Sequence, residues 1–479
     1  MYASIRRIVF SRMPAFINTS KDPLVLSLAF ASLQFYSFVK SSPLQWGTTL
    51  PSLSAGLPHF STGFMRNWGR DTFIAFHGIL LTTGRFLEAR EEILGYARVL
   101  RHSLIPNLLD SGNTPRYNAR DATWFFLQAI QDYCLLSPEG LEFLNTKVDL
   151  KYKINEESLE IITVGDIVHF ILQSHITGIH FTEWNAGSSI DEHMMDEGFK
   201  ISIYSDPQTG FIFGGNKYNC GTWMDKMGSS DKAGNKGLPA TPRDGAAVEI
   251  IGLLKSSLRF MNSIRAKYFR DRLFQLKDAS EITSMEWGSH LTQFFEEYFF
   301  IDEKDTSALI QNRCIYKDVY QSSTRADFQL RPNVCIAMAV APELFNKQRL
   351  WGINQLGLKT LDPLDEQFCG DYDNSNNSSD RKIAHGWNYH QGPEWIWPLG
   401  YFLKAKFIFL LEEKFYSREE CVKNCMEFLV NHRRFLEENL WISLPELTNA
   451  DGQECFFSCK AQAWSIATIL SFLHFIYIT

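Results

Sequence analysis

The stretch RFLEAREEILGYARVLRHSL, residues 85–104, decides the fold class. Its apolar residues Phe86, Ala89, Ile93, Ala97, Leu100 and Leu104 recur every three or four positions, and Glu88, Glu91, Glu92 and Arg98 fall on the opposite side. That is the period of a helix with one buried stripe, not the alternation of a strand. The segments from Asn118 (NARDATWFFLQAIQDYCLL) and Asp244 (DGAAVEIIGLLKSSLRFMNSI) behave alike. Further helical patterns lie near 24–40, 71–83, 164–178, 284–300, 333–342, 394–412, 418–437 and 461–476. β-like pieces such as FIFGGN at 211–216 are short. The polar run YDNSNNSSDRK at 372–382 reads as a mobile surface loop, and no Pro/Ser-rich hinge divides the chain. One large all-α domain follows, and a ring of helix pairs is the natural way to bury so many amphipathic helices around one centre.

With 479 residues and 45% hydrophobic content, the chain is ample for a large core. A phosphate-backbone partner needs a concentrated basic face, and a net charge of -7 argues against one, so no nucleic-acid partner is expected. The apolar segment PLVLSLAFASLQFYSFV is slightly short for a membrane span and lacks the cleavage pattern of a secretory signal, so a buried helix is expected and no membrane partner. Residues 1–53 form an apolar N-terminal segment, the start of the main fold or the remnant of an upstream connection. Nine cysteines, an odd count, suggest reduced thiols and a cytoplasmic setting. CVKNC (Cys421, Cys425) and CFFSC (Cys455, Cys459) lack the tight Cys-x-x-Cys knuckle, which predicts packing thiols rather than zinc.

Polar, aromatic-rich clusters recur just before the helices: MRNWGRD (65–71), TPRYNARD (114–121), NCGTWMDKMG (219–228), TPRDG (241–245), FQLRPN (328–333), NYHQGPEW (388–395) and LPELTN (444–449). In a helical ring these connections could line one end, gathering carboxylates, guanidiniums and indoles in one cavity. Hydrolysis of a glycosidic bond needs two carboxyl groups, with guanidiniums and acids gripping the sugar hydroxyls and Trp stacking on the ring. Each candidate also has a plainer reading. Asp71 and Asp244 could be N-caps, and Asp121 could merely pair with Arg120 or Arg116. Asp225 sits beside Trp223 and Met224 between Gly221 and Gly228, where an apolar setting would raise its pKa as a general acid requires. Glu446 is a lone acid in an apolar turn, its plainer role being a buried partner of an Arg. Trp387, Trp395 and Trp397 are more often core than sugar platforms, and His385 and His390 receive no role.

Together with SAGLPHFSTGFMRNWGRDTFIA, KTLDP and AQAWSIAT, the clusters closely resemble the C-terminal amylo-α-1,6-glucosidase region of eukaryotic glycogen debranching enzyme, in unbroken order from about Ser54 to about Leu470. The resemblance implies an (α/α)6 barrel over 54–479, a six-hairpin toroid related to glucoamylases. It implies inverting hydrolysis of the single α-1,6-linked glucose stub of glycogen limit dextrin, without metal or cofactor. Asp225 would be the general acid and Glu446 the general base. Trp68, Arg70 and Asp71 would hold the terminal glucose. Arg116, Asn118, Asp121, Trp223, Arg243, Asp244, Gln391, Glu394 and Trp395 would line subsites, with Asp244 in reserve as the acid. The family's long 4-α-glucanotransferase region has no counterpart here, so the chain is expected to be a stand-alone glucosidase, a fragment or a truncated gene model, with the transferase as a possible separate partner. Two other readings stay open: a trehalase-like or α-1,4-acting barrel hydrolase, and a non-catalytic glycogen-binding fragment.

Overall fold

The computed structural model describes residues 2–39, 50–109, 115–152, 161–184, 186–270, 272–346 and 359–479. Among these, the α-helices of eight or more residues are, in chain order, α1 (Tyr2–Ser11), α2 (Pro23–Ala31), α3 (Gly69–Phe76), α4 (Phe86–Arg98), α5 (Ala122–Leu136), α6 (Val164–Thr177) and α7 (Val248–Ser263). Then come α8 (Ser284–Phe299), α9 (Asn333–Val340), α10 (Pro398–Glu412), α11 (Arg418–Met426), α12 (Val430–Glu438) and α13 (Ala463–Ile478). Strands are short; the largest sheet has three, Ile179–Thr182, Lys200–Ser205 and Ile212–Gly214. The mainly helical reading holds.

Six helices close on themselves. α3 packs on α5, α5 on α7, α7 on α9, α9 on α10, α10 on α13, and α13 returns to α3. Helices α2, α4, α8 and α11 lie against members of this ring. The most apolar inner helices bury nearly their whole contact length: α9 buries every residue, and α13 buries all but Ser471 from Ala463 to Leu473. Two crossings are so close that only glycine fits. A Cβ on Gly252 would stand 2.5 Å from the Ala337 Cα, and one on Gly400 would stand 2.3 Å from the Thr468 carbonyl carbon. At the centre Trp223 meets Trp395 and Trp397, each at 5.1 Å, and Trp464 closes on Trp397 at 5.5 Å.

Some expectations shift in detail. The helix expected over 85–104 stops at Arg98, because the chain turns back through Arg101–Leu104 hydrogen bonds with His102 and Ser103 at positive φ; Leu100 and Leu104 stay buried. Glu92, expected on the solvent side, is 5% exposed. Its Oε1 accepts the Leu53 N–H at 3.0 Å, and burial lifts its pKa to about 8. The helix expected over 24–40 ends at Ala31, and the one over 418–437 breaks at a 3-10 turn, Glu427–Leu429. The 372–382 run is tied down: Lys226 Nζ reaches Asn374 at 2.8 Å and Ser230 Oγ reaches Asn377 at 3.1 Å. In the N-terminal segment, α2 packs on α13, and Asp22 both caps α2 and pairs with Arg433 at 3.0 Å. All nine cysteines are free thiols; Cys421 and Cys425 are buried, with the Cys425 Sγ against the Leu403 carbonyl at 3.7 Å.

Candidate active site

The run-ins to the inner helices meet at one end of the ring. Two-residue ladders knit them together: Ala246–Ala247 pairs with Val319–Tyr320, Glu394–Trp395 with Leu447–Thr448, and Ala461–Gln462 with Gly56–Leu57. The outer helices α2, α6, α8 and α11 are capped by Asp22, Thr163, Thr283 and Ser417. None of the six inner helices is capped by the side chain of its own N-cap residue. Their positive dipole ends therefore favour acidic groups at this end.

Four carboxylates gather there around one guanidinium. Arg70, on the first turn of α3, is 2% exposed. Its Nε donates to both oxygens of Asp121 at 2.9 Å, and its Nη1 donates to Asp225 Oδ2 at 3.1 Å. Asp121 is fully buried, whereas the Asp225 side chain keeps 33% of its surface. Arg70 Nη2 is buried with no hydrogen-bond partner, a donor still to be satisfied. Asp71 accepts Gln462 Nε2 from the run-in to α13 at 3.3 Å. It sits inside the first turn rather than at the N-cap, so the capping role does not hold. Burial raises its pKa well above the ordinary value against the pull of Arg70, and the charges of Glu446 and Asp225 push it further.

Glu446 is 5% exposed. Its backbone is pinned from both sides, its N–H donating to the Cys459 carbonyl at 2.9 Å and its carbonyl accepting the Ile396 N–H at 3.3 Å. Its Oε2 accepts the Tyr389 hydroxyl at 2.5 Å. Burial lifts its pKa to about 7; the Tyr389 hydrogen bond opposes this, and the charge of Asp225 adds to it. Burial also raises the Asp225 pKa, while Arg70 holds it down by charge and hydrogen bond. The two acids thus lie within each other's field, with Asp71 and Arg70 in the same group.

Behind this surface runs a buried ion network. Arg243 is fully buried and held at positive φ. It donates to Asp318 at 2.7 and 2.9 Å and to Glu249 at 2.5 and 2.7 Å. Asn333, first residue of α9, donates to Asp318 at 2.8 Å and accepts the Trp223 indole N–H at 2.6 Å. Arg331 donates to the His390 carbonyl at 2.8 Å and to Gln391 Oε1 at 2.7 Å. The network locks the loop carrying Asp225 to the run-ins of α9 and α10.

The family model for amylo-α-1,6-glucosidase matches residues 30–471. The chain belongs to the amylo-α-1,6-glucosidase family. It is 43% identical over 495 residues to the glycogen debranching enzyme of Saccharomyces cerevisiae; the match takes in 95% of this chain and 32% of that enzyme, so the chain spans about a third of its relative's length. Among solved structures, it is similar to a mannosylglycerate hydrolase of Thermus thermophilus in complex with glucose, with a TM-score of 0.49 and 9% identity over 94% of this chain and 99% of that one. It is also similar to a rhamnosidase of Klebsiella oxytoca with rhamnose bound, with a TM-score of 0.48 and 10% identity over 95% and 65%. A neutral trehalase of S. cerevisiae gives 0.44 and 12% over 95% and 80%.

The family's expected binding residues divide by position. Arg70, Asp71 and Asp121 belong to the carboxylate group, and Asp121 pairs with Arg70 rather than with Arg120 or Arg116. Arg116 donates to Glu183 at 3.3 Å, and its charge helps hold the Asp225 pKa down. Asn118 and Trp68 are half-buried, Trp68 with its N–H on the Met65 carbonyl at 2.7 Å. Glu394 pairs with Lys359 at 2.8 Å. Asp244 accepts from Ser322 Oγ and the Ser323 N–H, each at 3.3 Å. Four expected sugar contacts lie in the supporting layer instead. Arg243 has its donors taken by acids, Gln391 bonds Arg331 and the Ala240 carbonyl, and Trp223 and Trp395 are 1% and 2% exposed in the indole cluster. Tyr389, Gln462, Asn333 and Asp318 were not singled out by sequence, although the first three stand inside quoted motifs.

Proposed function

We propose that this chain is an exo-acting glycoside hydrolase that releases the α-1,6-linked glucose stub of a branched α-glucan such as glycogen limit dextrin, with inversion at the anomeric carbon. Asp225 gives its proton to the departing oxygen, and Glu446 takes one from the attacking water. The observation that carries this reading is the gathering of Asp225 and Glu446, 221 residues apart in sequence, into one field with Arg70 and Asp71. The unpartnered Arg70 Nη2 and the carboxylate of Asp71 suit a sugar's hydroxyls. Asp225, with a third of its surface open, suits the side where the leaving chain departs; deep-set Glu446 suits the water side. Inversion requires the two carboxyl groups to stand roughly 6.5–9.5 Å apart. On this reading the helical ring is the inner layer of an (α/α)6 barrel over 54–479, with residues 1–53 as its run-in. A glucanotransferase region outside this sequence would supply the trimmed branch, and the free thiols suit the cytoplasm. Among the described residues no helix is long and apolar enough to cross a membrane.

A second assignment is favoured by one observation. Burial lifts the Glu446 pKa to about 7, within the range of a general acid, while Arg70 opposes the burial that raises Asp225, so Glu446 is the other candidate for the acid. A bound sugar that takes the Arg70 donors would weaken that opposition and raise Asp225 further, which is why we keep Asp225 as the acid. α-Glucosyl fluoride decides between them, because fluoride leaves without needing a proton. Asp225→Asn should lose about 10²–10⁴-fold on a branched dextrin yet keep most of its rate on the fluoride, while Glu446→Gln should lose both. The reverse pattern would exchange the roles. Proton NMR of glucose freshly released from the dextrin reads activity and inversion together.

A further inference from the structure

Behind the loop that carries Asp225 lies a cavity of about 220 Å³ that takes no part in the chemistry above. Thr241, Arg325, Gln329, Gln367, Arg381 and Trp387 line it, and no carboxylate does among the described residues, so it can bind but cannot carry out acid–base hydrolysis. Two of the segments that line it also reach the candidate active site. One is the 238–243 segment, whose Ala240 N–H bonds the carbonyl of Lys226, next in sequence to Asp225. The other is the 387–391 turn, which carries Tyr389 to Glu446 and is tied across by the Trp387 indole on the Leu238 carbonyl at 3.0 Å.

Lys217, Arg243 and Arg331 line it as well, so the cavity is rich in N–H donors, which suit the hydroxyls of a sugar. Trp387 is half-buried, and the exposed Arg381 guanidinium lies over its ring, 5.0 Å from the centre, so the indole holds a donor fork at the cavity. Thr241 is 3% exposed, and its hydroxyl has no hydrogen-bond partner; Arg325 Nε is likewise buried and unpartnered. Buried polar groups of this kind are normally satisfied, here by something that enters the cavity. The volume is below the ~300–1,000 Å³ of drug-sized sites, so the cavity has room for one small ring and not for a longer chain.

We propose that this cavity seats a glucose unit of the α-1,4-linked chain that carries the stub, one layer away from the bond being cut. The inference rests on the glucosidase reading and adds to it a determinant of substrate choice: the Trp387 pocket favours a stub mounted on a chain over a free disaccharide.

The test compares a branched limit dextrin with α-glucosyl fluoride, which has no chain to seat, in Trp387→Ala, Thr241→Val and Arg381→Ala. Trp387→Ala should raise KM for the dextrin about tenfold, and the other two severalfold, while kcat/KM on the fluoride moves less than twofold. Calorimetry with maltohexaose should show binding that weakens in the same order. Thr241→Val preserves shape and Arg381 is exposed, so these variants keep the test valid if Trp387→Ala misfolds. Dextrin and fluoride parameters moving together, or maltohexaose binding equally to parent and variants, would overturn the pocket. If the parent hydrolyses neither substrate, the glucosidase reading fails, and maltohexaose binding alone decides the pocket, for it or against it.

Discussion

Replacing Tyr389 with Phe removes one oxygen and leaves a ring held by Tyr372, His390 and Trp395, at centroid distances of 4.6, 4.7 and 4.8 Å. The fold should barely notice. The lost hydroxyl, however, is the donor 2.5 Å from Glu446 Oε2. A donor stabilises the charged carboxylate, so its removal must raise the Glu446 pKa. A hydrogen bond to a charged group contributes about 1.5–3 kcal/mol, and one pKa unit is about 1.4 kcal/mol, so the rise is about 1–2 units. From a starting value of about 7, Glu446 would titrate near 8–9. A general base works only when ionised. The acid limb of the kcat/KM profile should therefore move up by that amount, with a loss of about 5–50-fold at pH 7 that fades by pH 9. Glucose release from a branched dextrin across pH 5–9.5 is the measurement. An unmoved limb, or a loss of equal size at every pH, would refute the tuning argument and leave Tyr389 a packing residue.

Three further outcomes test the fold. Glu92→Gln keeps the acceptor for Leu53 but removes the carboxyl whose folded pKa is about 8 against an unfolded value near 4.5. A raised carboxyl pKa means the parent loses stability as pH climbs from the unfolded value through the folded one, so the variant should match it at pH 4 and exceed it by about 4 kcal/mol at pH 8 in urea unfolding. Arg243→Met strands Asp318 and Glu249 in the interior and should lower stability by about 3–5 kcal/mol or more, read as a shifted denaturation midpoint; an unshifted midpoint would mean the network is dispensable. Gly400→Ala gains about 1 kcal/mol of helix propensity but drives a Cβ into the Thr468 backbone, and the clash should win by about 1–3 kcal/mol in thermal unfolding.

The helices were legible because their apolar residues survive in sequence, as a one-sided stripe around Ile93 on the outer α4 and as a nearly unbroken run around Ile466 on the inner α13. Their ends were less so. Residues 100–104 keep the apolar spacing of a helix because the turn they form is itself buried, and periodicity reports burial rather than hydrogen bonding. Glu92 was misplaced because its partner, the Leu53 N–H, lies 39 residues upstream. The site shows the same division. The clusters stood out as polar, aromatic-rich runs before apolar ones, which is what the open end of a helical ring demands. Which members face the cavity was hidden. Arg243 turns away because Asp318, 75 residues on, claims it, and Tyr389 reads as one more aromatic until Glu446 arrives from 57 residues downstream.

The ring closes where α13 docks on α3, so the bond from Gln462 to Asp71 joins positions 391 apart. A contact of that span carries a large loop-closure entropy, which favours its forming after the more local helix pairs. The pocket is therefore among the last features to mature and the first to vanish when the C-terminal helix frays. Loss of that one helix would leave most secondary structure intact while abolishing turnover, and would expose an oily interior that invites aggregation.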